Sequence, residues 1–351
     1  MQFKKIINNF FKGYSDYKIH PVNGGNINTT YLISINFKDS TQKYILQMIN
    51  DKVFLRPKEV MQNIVAVLNS YNNENLFIVK TLNGEDYFID DNKRFWRVYN
   101  YVPNCLSISK TSDLPLIEET GRAFGSFLYK LRNFNYKTLN NTIENFHSTK
   151  FRFENLQKSA KENVERFTEI KREYDLLLNL KNESCKLQAM LENGDIPLRV
   201  VHNDTKCSNV LINARTKKYV TVIDLDTVMA GIIAHDFGDG ARSICVNLSE
   251  ENKNVDEVRF DLEKFYFYSR GFISELKDIL TDAEKSTLYL GIITITAELS
   301  TRFLTDYLQN DVYFKIDYPK QNKIRAINQL VLAYDVLDKE KQIKEIINSL
   351  F

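Results

Sequence analysis

Residues 199–227 read RVVHNDTKCSNVLINARTKKYVTVIDLDT, in which two short apolar runs frame a group of polar side chains. Asp204 follows the first run, two residues after His202, and Asn209 comes five residues later. A turn-like segment and the second apolar run then lead to Asp224, fifteen residues beyond Asn209. The pattern predicts a polar loop, a β-hairpin and a strand that ends at Asp224.

This ordered set of side chains is typical of phosphoryl-transfer chemistry. One carboxylate accepts the proton of an attacking hydroxyl, while an amide oxygen and a second carboxylate are hard ligands for Mg²⁺ beside nucleotide phosphates. The spacing of Asp204 and Asn209 equals that of the protein-kinase catalytic loop. We therefore predict Asp204 as the catalytic base, and Asn209 and Asp224 as the Mg²⁺ ligands. An Asp at a strand end is often only a turn or cap residue, but the complete set is much harder to obtain by chance.

The chain on either side of this stretch divides into a strand-rich part and a helix-rich part. We expect an N-lobe at 1–102 and a C-lobe at 103–351, with a ligand cleft between them. In the N-lobe, period-two patterns predict an antiparallel sheet with one inserted helix at 57–70; the strand-like segments are 29–37, 43–49, 76–81, 86–89 and 95–102. Asn83-Gly84 predicts a turn between the third and fourth of these segments. In the C-lobe, helical spacing marks the segments 116–132, 150–192, 256–276, 283–308 and 320–351, and Asn193-Gly194-Asp195 predicts the end of the second.

The composition excludes several classes of protein. The chain has 351 residues, of which 43% are hydrophobic, so it can bury a large core and is not mainly disordered. Its formal net charge of +2 argues against a nucleic-acid partner held by bulk electrostatics. No run of 18 apolar residues and no signal-type apolar segment occurs, so we expect a cytoplasmic protein without a membrane partner. The four scattered Cys residues favour free thiols over a zinc site.

The segments HNDTKCSNVLIN and VIDLDTVMAG resemble the aminoglycoside-phosphotransferase-like, protein-kinase-like superfamily, and more narrowly the bacterial N-acetylhexosamine 1-kinases. A third similar segment is DFGD at 236–239, followed by Arg242. The resemblance runs from about residue 20 to the C-terminus. It implies an α+β, protein-kinase-like bilobal fold with a small antiparallel-sheet N-lobe and a larger, mainly helical C-lobe. It also implies phosphorylation of the anomeric hydroxyl of an N-acetylhexosamine, with ATP as co-substrate and Mg²⁺ as cofactor.

The triplet Asp236-Phe237-Gly238 looks like the kinase metal-binding motif, but it lies 27 residues after Asn209 and does not follow the hairpin. Asp224 is the better candidate for the metal ligand. In related folds an Asp at the later position accepts backbone N–H groups of the catalytic loop. We predict that structural role for Asp236.

The predicted nucleotide site begins with Gly24, Gly25, Asn28 and Thr29, which precede a strand. Two glycines let the backbone approach phosphates closely, although a glycine pair before polar residues is often only a turn.

A kinase usually offers a Lys on the third strand, but here the corresponding residue is Gln47, as in the resembling family. That family often has Arg after the Gln, where this chain has Met48, so the residue that clamps the ATP phosphates stays open. By analogy Tyr99 and Tyr101, at the connector after the sheet, lie beside adenine. Both are equally compatible with a core position.

The acceptor site is predicted from the resemblance at RFLTDYLQNDVYFK, in which Arg302 and Tyr313 lie beside the sugar. Asp226, two residues past the predicted metal ligand, could accept hydrogen bonds from sugar hydroxyls. The alternative for Arg302 is a surface salt bridge with Asp306, four residues away on one helix face. His147 is better explained as a partly buried structural residue.

Two other functions stay open at this stage. One is a kinase of another small alcohol, of aminoglycoside, choline or homoserine type, which would need an acidic pocket for a cationic acceptor. The other is a nucleotide-binding pseudokinase, supported only by the missing strand Lys. The sequence does not distinguish N-acetylglucosamine from N-acetylgalactosamine, and it does not give the nucleotide preference or the oligomeric state.

Overall fold

The computed structural model of the chain describes residues 2–22, 27–71 and 73–351. It combines an N-terminal antiparallel sheet with a mainly helical remainder, so the predicted fold class is confirmed. The helices are α1 (Gln2–Phe10), α2 (Pro57–Ser70), α3 (Leu114–Lys130), α4 (Thr149–Glu162), α5 (Val164–Thr168), α6 (Lys171–Ser184), α7 (Lys186–Asn193), α8 (Ile233–Ile244), α9 (Leu262–Leu276), α10 (Asp282–Leu308), α11 (Gln321–Asp338) and α12 (Glu340–Ser349). The strands are β1 (Asp16–Pro21), β2 (Thr29–Asn36), β3 (Thr41–Met48), β4 (Phe88–Ile89), β5 (Phe95–Asn100), β6 (Cys105–Ser107), β7 (Arg199–Val201), β8 (Val210–Asn213), β9 (Tyr219–Val222) and β10 (Met229–Gly231).

Among the described residues, the N-terminal sheet has five strands in the order β1-β2-β3-β5-β4, and its neighbours are antiparallel. Side chains alternate between the two faces, so register partners on adjacent strands share a face. Leu46 and Val98 are register partners and pack with Ile6 of α1 in one apolar cluster. Gln47 and Arg97 are the next pair along, and they therefore point to the opposite face. This second face carries the residues that meet the helical part.

One predicted strand is much reduced. The segment 76–81 forms a single β-bridge, between Ile78 and Tyr99, instead of a strand. At its start, the backbone N–H of Asn100 donates to the oxygen of Phe77 at 3.2 Å, but the N–H of Phe77 donates to the Asn100 side chain, at 2.8 Å, and not to the backbone. The turn predicted around Gly84 is present, since Gly84 has a φ of +85°.

The helical part is built around α3, α9 and α10. Gly121 of α3 lets α9 approach closely, because a Cβ at that position would lie 2.2 Å from the backbone oxygen of Tyr268. The long helical stretch predicted at 150–192 is divided into α4, α5, α6 and α7. Asn163 explains the first break, since its side chain accepts a hydrogen bond from the backbone N–H of Arg166 and caps α5. The predicted stop is confirmed by Gly194, which follows α7 with a φ of +81°.

Short strands hold the polar stretch of the sequence in place. β7 pairs with β10, while β6, β8 and β9 form a second small sheet. The backbone N–H of Ile223 donates to the backbone oxygen of Asn209, 2.8 Å away, and connects the two ends of the hairpin. In the described part of the chain, no helix is both long and apolar enough to cross a bilayer.

Candidate active site

The loop after β7 is anchored by a buried carboxylate from α8. The two oxygens of Asp236 accept the backbone N–H groups of His202 and Asn203, each at 2.7 Å. Asn203 needs this support, because its φ of +63° is uncommon for a residue other than glycine. The structural role predicted for Asp236 is confirmed, and the residue lies outside the group of proposed metal ligands.

Asp239, one turn further along α8, anchors the next residue of the same loop. Its Oδ2 accepts the backbone N–H of Thr205 at 2.8 Å, while its Oδ1 accepts from the guanidinium of Arg242 at 2.6 Å. Burial by itself would raise the pKa of Asp239, but the charges of Arg242 and Lys206 and the hydrogen bonds from Arg242 and Thr205 together keep it below its ordinary value. The segment at 236–242 therefore fixes the loop by ionic and backbone hydrogen bonds.

His202 supports the loop from the core. It is fully buried, and its Nε2 lies 3.0 Å from the backbone oxygen of Ile223. Its ring makes edge contacts with Phe124 and Phe127 of α3. Burial lowers the pKa of His202, so the ring is neutral and holds the loop against the hairpin.

Asp204 is presented at the outer end of this loop. The side-chain amide of Asn209 donates to both the backbone oxygen and Oδ2 of Asp204, each at 2.9 Å. Lys206 places its Nζ 2.9 Å from Oδ1 of the same carboxylate. The sequence analysis did not select Lys206, although its place two residues after Asp204 in the same loop was a usable signal. The Asp204 carboxylate raises the pKa of Lys206, so this cation stays charged.

Asp224 ends the hairpin in a left-handed conformation, with a φ of +62°. Its carboxylate has no hydrogen-bond or ion-pair partner among the described residues, and its side chain is exposed. The surrounding protein nevertheless reduces its solvation and, together with the carboxylates of Asp226 and Asp204, raises the pKa of Asp224 to about 7. An unpaired carboxylate under this repulsion is a suitable ligand for a cation.

These residues fit a magnesium site that is completed by a substrate. With the Asn209 amide nitrogen turned to Asp204, the Oδ1 of Asn209 has no donor among the described residues. Within those residues, no group of three or more His, Cys, Asp or Glu side chains is arranged to hold a metal alone. Mg²⁺ is commonly bound by one or two carboxylates together with substrate phosphates, so Asn209 and Asp224 suffice only when phosphates are also present.

Asp226 faces the N-terminal sheet. Its carboxylate is buried and forms a two-point ion pair with the guanidinium of Arg97, and Asn28 also donates to it. Gln47 accepts two further hydrogen bonds from Arg97, at 2.9 and 3.0 Å. The expected contact between Asp226 and a sugar stays a prediction, and the geometry offers it no support because both oxygens already have partners. Neither Arg97 nor its pairing with Asp226 was identified from the sequence.

Of the other predicted nucleotide residues, Tyr99 and Tyr101 follow Arg97 at alternate positions, whereas Thr29 is the register partner of Met48. Gly24 and Gly25 fall outside the described residues. Thr29 is the exposed first residue of β2, whereas Tyr99 is buried with its ring centroid 5.1 Å from the Arg97 guanidinium. The ring of Tyr101 is half-buried under Lys43, whose Nζ lies 5.6 Å from the ring centroid. Their contacts with a nucleotide stay predictions.

Arg302 and Tyr313 are brought together as expected for a shared pocket. The Arg302 guanidinium lies between 5.4 and 5.8 Å from the ring centroids of Phe146, Tyr313 and Phe314. It makes no hydrogen bond or ion pair with any described residue. The alternative salt bridge to Asp306 is absent from the described structure, because Asp306 is buried and accepts the backbone N–H groups of residues 312–314.

A buried polar group lies behind Arg302. Glu298 accepts from Thr149 at 3.1 Å, and its other oxygen lies 3.0 Å from Nδ1 of His147. The rings of His147 and His235 are 4.8 Å apart. Arg152 contributes a second guanidinium, whose Nε is buried without a partner in the described structure and whose pKa is lowered by burial and then by Arg302. The half-buried setting of His147 agrees with a structural role.

Solved structures share this fold at low sequence identity. An aminoglycoside phosphotransferase from Alicyclobacillus acidocaldarius superposes with a TM-score of 0.64 and 14% identity, over 97% of this chain and 96% of that one. A microcompartment-associated aminopropanol kinase gives the same score and identity over 98% of both chains. A choline kinase from Cryptosporidium parvum superposes with a TM-score of 0.59 and 15% identity, over 95% of this chain and 92% of that one. At such identities the likeness concerns the fold.

Sequence comparison adds the family. A kinase-like protein from Caenorhabditis elegans is 32% identical over 95 residues, which cover 27% of this chain and 24% of that protein's length. The model of the phosphotransferase enzyme family (APH) matches residues 18–261, a range that contains the anchored loop, the hairpin and Asp236. The chain belongs to the APH phosphotransferase enzyme family.

Proposed function

We propose that this phosphotransferase is an ATP-dependent kinase that phosphorylates the anomeric hydroxyl of an N-acetylhexosamine. In this reaction an oxygen–phosphorus bond forms between the sugar hydroxyl and the γ-phosphate, and the bond from that phosphorus to ADP breaks. The proton of the hydroxyl passes to Asp204. The nucleotide lies between the sheet of residues 1–102 and the helical part of residues 103–351, which act as the two lobes.

The chemistry is supported by how the loop presents Asp204. Asn209 and Lys206 hold the carboxylate from two sides, and Asp236 fixes the backbone behind it. A fixed base beside a bound hydroxyl raises the rate chiefly through positioning. Mg²⁺ held by Asn209 and Asp224 would neutralise charge on the transferred phosphoryl group.

The same residues argue against a pseudokinase. A scaffold that only binds nucleotide has no use for a carboxylate that three separate residues position at an open site. Gln47 replaces the usual strand Lys, but Arg97 places a guanidinium immediately beside it, within 3.0 Å of its side-chain oxygen. Gln47 therefore belongs to a hydrogen-bonded group with Arg97 and Asp226 that joins the sheet to the turn beside Asp224.

The observation that carries the choice of acceptor is the guanidinium of Arg302, which has no hydrogen-bond or ion-pair partner among the described residues and lies within 5.8 Å of three aromatic ring centroids. A guanidinium donates to hydroxyl or carbonyl oxygens, and Tyr313 can pack on a sugar ring. Arg152 adds a second positive charge, while the carboxylates of Glu298 and Asp306 are already engaged by hydrogen bonds within the protein. This charge distribution favours a neutral acyl sugar over a cationic amino alcohol.

A second candidate is a kinase of small amino alcohols, because the neighbours in fold include an aminopropanol kinase and a choline kinase. A panel assay separates the two candidates. ADP release is measured with N-acetylglucosamine, N-acetylgalactosamine, glucose, choline, aminopropanol and an aminoglycoside at equal concentrations. We expect the N-acetylhexosamines to give the highest kcat/KM, and preference for a cationic acceptor would overturn the assignment.

The site of phosphorylation is tested on the product. Phosphorylation at the anomeric oxygen removes the reducing end of the sugar, whereas phosphorylation at any other hydroxyl leaves it intact. We expect loss of reducing-sugar reactivity in proportion to the ADP released. Full retention of the reducing end would show that another hydroxyl is the acceptor.

A further inference from the structure

Arg97 carries a buried charge that is held by specific partners. It lies on β5 opposite Gln47 of β3, and none of its surface is exposed to solvent. A buried charge is tolerated in proteins only with close partners. In this case Nε and Nη2 donate to the Gln47 side-chain oxygen, and Nη1 and Nη2 donate to the two oxygens of Asp226. The fifth N–H group, on Nη1, has Sδ of Met61 as its partner, 3.8 Å from the nitrogen, so Arg97 has no free donor for a phosphate.

The Asp226 carboxylate, at the other end of this ion pair, connects three separate segments of the chain. Asp226 lies in a helical turn at Leu225–Thr227, immediately after Asp224. Asn28 donates to Asp226 from the start of the strand that follows the predicted phosphate loop, and it also accepts the backbone N–H of Asn50 at 3.0 Å. One buried ion pair therefore connects the sheet, the entry to β2 and the turn that carries the proposed metal ligand.

Among the described residues, Arg97 and Asn28 are the two whose side chains hydrogen-bond to this turn from the side of the sheet, and both bind Asp226. The carboxylate of Asp224 itself has no partner among the described residues, and its left-handed backbone is one that a residue with a side chain holds only when neighbours enforce it. Two-point pairing with a guanidinium fixes both the distance and the orientation of a carboxylate, which an ammonium does not.

We infer that Arg97 is a positioning residue: through its two-point ion pair with Asp226, it holds Asp224 in register with the nucleotide-binding face of the sheet. The inference rests on the proposed function only in that Asp224 is taken to contact a metal–nucleotide complex. It gives Asp226 a role in alignment and makes no use of a contact between Asp226 and the acceptor.

The test compares nucleotide affinity with and without a metal. Binding of ADP is measured by calorimetry, once with Mn²⁺ and once in EDTA. The wild-type protein is compared with Arg97→Lys, which keeps the positive charge but loses the planar fork of the guanidinium. We expect Arg97→Lys to weaken binding of Mn²⁺·ADP at least tenfold and to change binding of metal-free ADP less than twofold. A merely structural ion pair predicts no such difference between the two ligands.

A double variant distinguishes loss of alignment from loss of the fold. Arg97→Met combined with Asp226→Leu removes both buried charges and avoids leaving one of them unpaired, so the fold is expected to survive, as judged by a single cooperative melting transition. The double variant should show the same selective loss of affinity for Mn²⁺·ADP.

The matched control is Arg325→Lys. Arg325 lies on α11, and two of its guanidinium nitrogens donate to the carboxylate of Glu251. This control should bind both ligands like the wild type.

The outcomes separate the inference from the proposed function. If folded variants bind Mn²⁺·ADP within twofold of the wild type, the alignment role is overturned, whatever the enzyme phosphorylates. If the selective loss is found while no N-acetylhexosamine is turned over, the inference holds and the acceptor assignment fails. A wild-type protein that does not bind Mn²⁺·ADP would overturn both.

Discussion

Lys206 places its ammonium 2.9 Å from Oδ1 of Asp204, while Asn209 donates to the opposite oxygen of the same carboxylate. The carboxylate of the proposed base is therefore held in one orientation before any substrate arrives. Catalysis by such a group comes from being in place when the hydroxyl loses its proton.

The first prediction concerns the turnover of the Asp204→Asn variant. The amide keeps the shape of the side chain but cannot accept the proton, so kcat should fall by roughly 10²–10⁴-fold. The melting temperature should stay within a few degrees of the wild type, because Asp204 is partly exposed. Asp195→Asn, at an exposed position after α7, is the control and should retain full activity. Normal turnover by Asp204→Asn would remove this carboxylate from the mechanism.

The second prediction concerns the anchoring of the loop. Asp236→Ala leaves the backbone N–H groups of His202 and Asn203 without their acceptor in a fully buried place. Burying unsatisfied donors should lower the free energy of unfolding by about 2 kcal/mol or more. Denaturant unfolding measures this, with Asp195→Ala expected to change it by less than about 0.5 kcal/mol. Equal stability of the two variants would contradict the anchoring role.

The third prediction concerns Arg302. Replacing it with Gln removes a charged donor from the acceptor pocket, so the KM for the acceptor should rise at least ~10-fold, the value of one charge-assisted hydrogen bond. The KM for ATP should change less than twofold, because the guanidinium contacts only aromatic rings of the acceptor side. Arg172→Gln, on the exposed side of α6, serves as the control. An unchanged acceptor KM in Arg302→Gln would place the acceptor elsewhere.

The fourth prediction is a pH dependence of stability. Burial, followed by the neighbouring His147, lowers the pKa of His235 to about 3. An unfolded His takes up a proton near pH 6.5, whereas the folded one does not until about pH 3, so folding loses stability as the pH falls through this window. The slope from this group is at most about 1.4 kcal/mol per pH unit.

Unfolding of the wild type and of His235→Phe between pH 4 and pH 7 measures this slope. His147, whose ring lies 4.8 Å from that of His235, is present in both proteins. The variant should show a shallower loss of stability on acidification, even if its stability is lower throughout. Parallel pH profiles would show that His235 does not titrate differently in the two states.

Local patterns in the sequence predicted much of this molecule. The helix at 57–70 and the stop at Gly194 were found because their signals lie within a few adjacent residues. The order Asp204, Asn209, Asp224 could be interpreted because its chemistry constrains spacing as well as residue type. Asp236 was separated from the metal ligands because it lies 27 residues after Asn209 and does not follow the hairpin.

What the sequence did not reveal depends on contacts between distant residues. Gln47 and Arg97 are 50 positions apart and meet only because β3 and β5 are neighbours, and Arg97 and Asp226 are 129 positions apart. Helix α1 was missed because its apolar residues are meaningful only against the sheet that they cover. The free guanidinium of Arg302 likewise depends on Asp306 being engaged by a loop that follows it.

The central claim is that Asn209 and Asp224 hold a divalent cation on a nucleotide beside Asp204. Crystals grown with Mn²⁺ and a non-hydrolysable ATP analogue test it directly, because Mn²⁺ gives an anomalous signal. The account predicts a peak ~2.0–2.2 Å from Oδ1 of Asn209 and from a carboxylate oxygen of Asp224, with the terminal phosphate facing Asp204. A bound nucleotide whose Mn²⁺ lies away from both residues would contradict it.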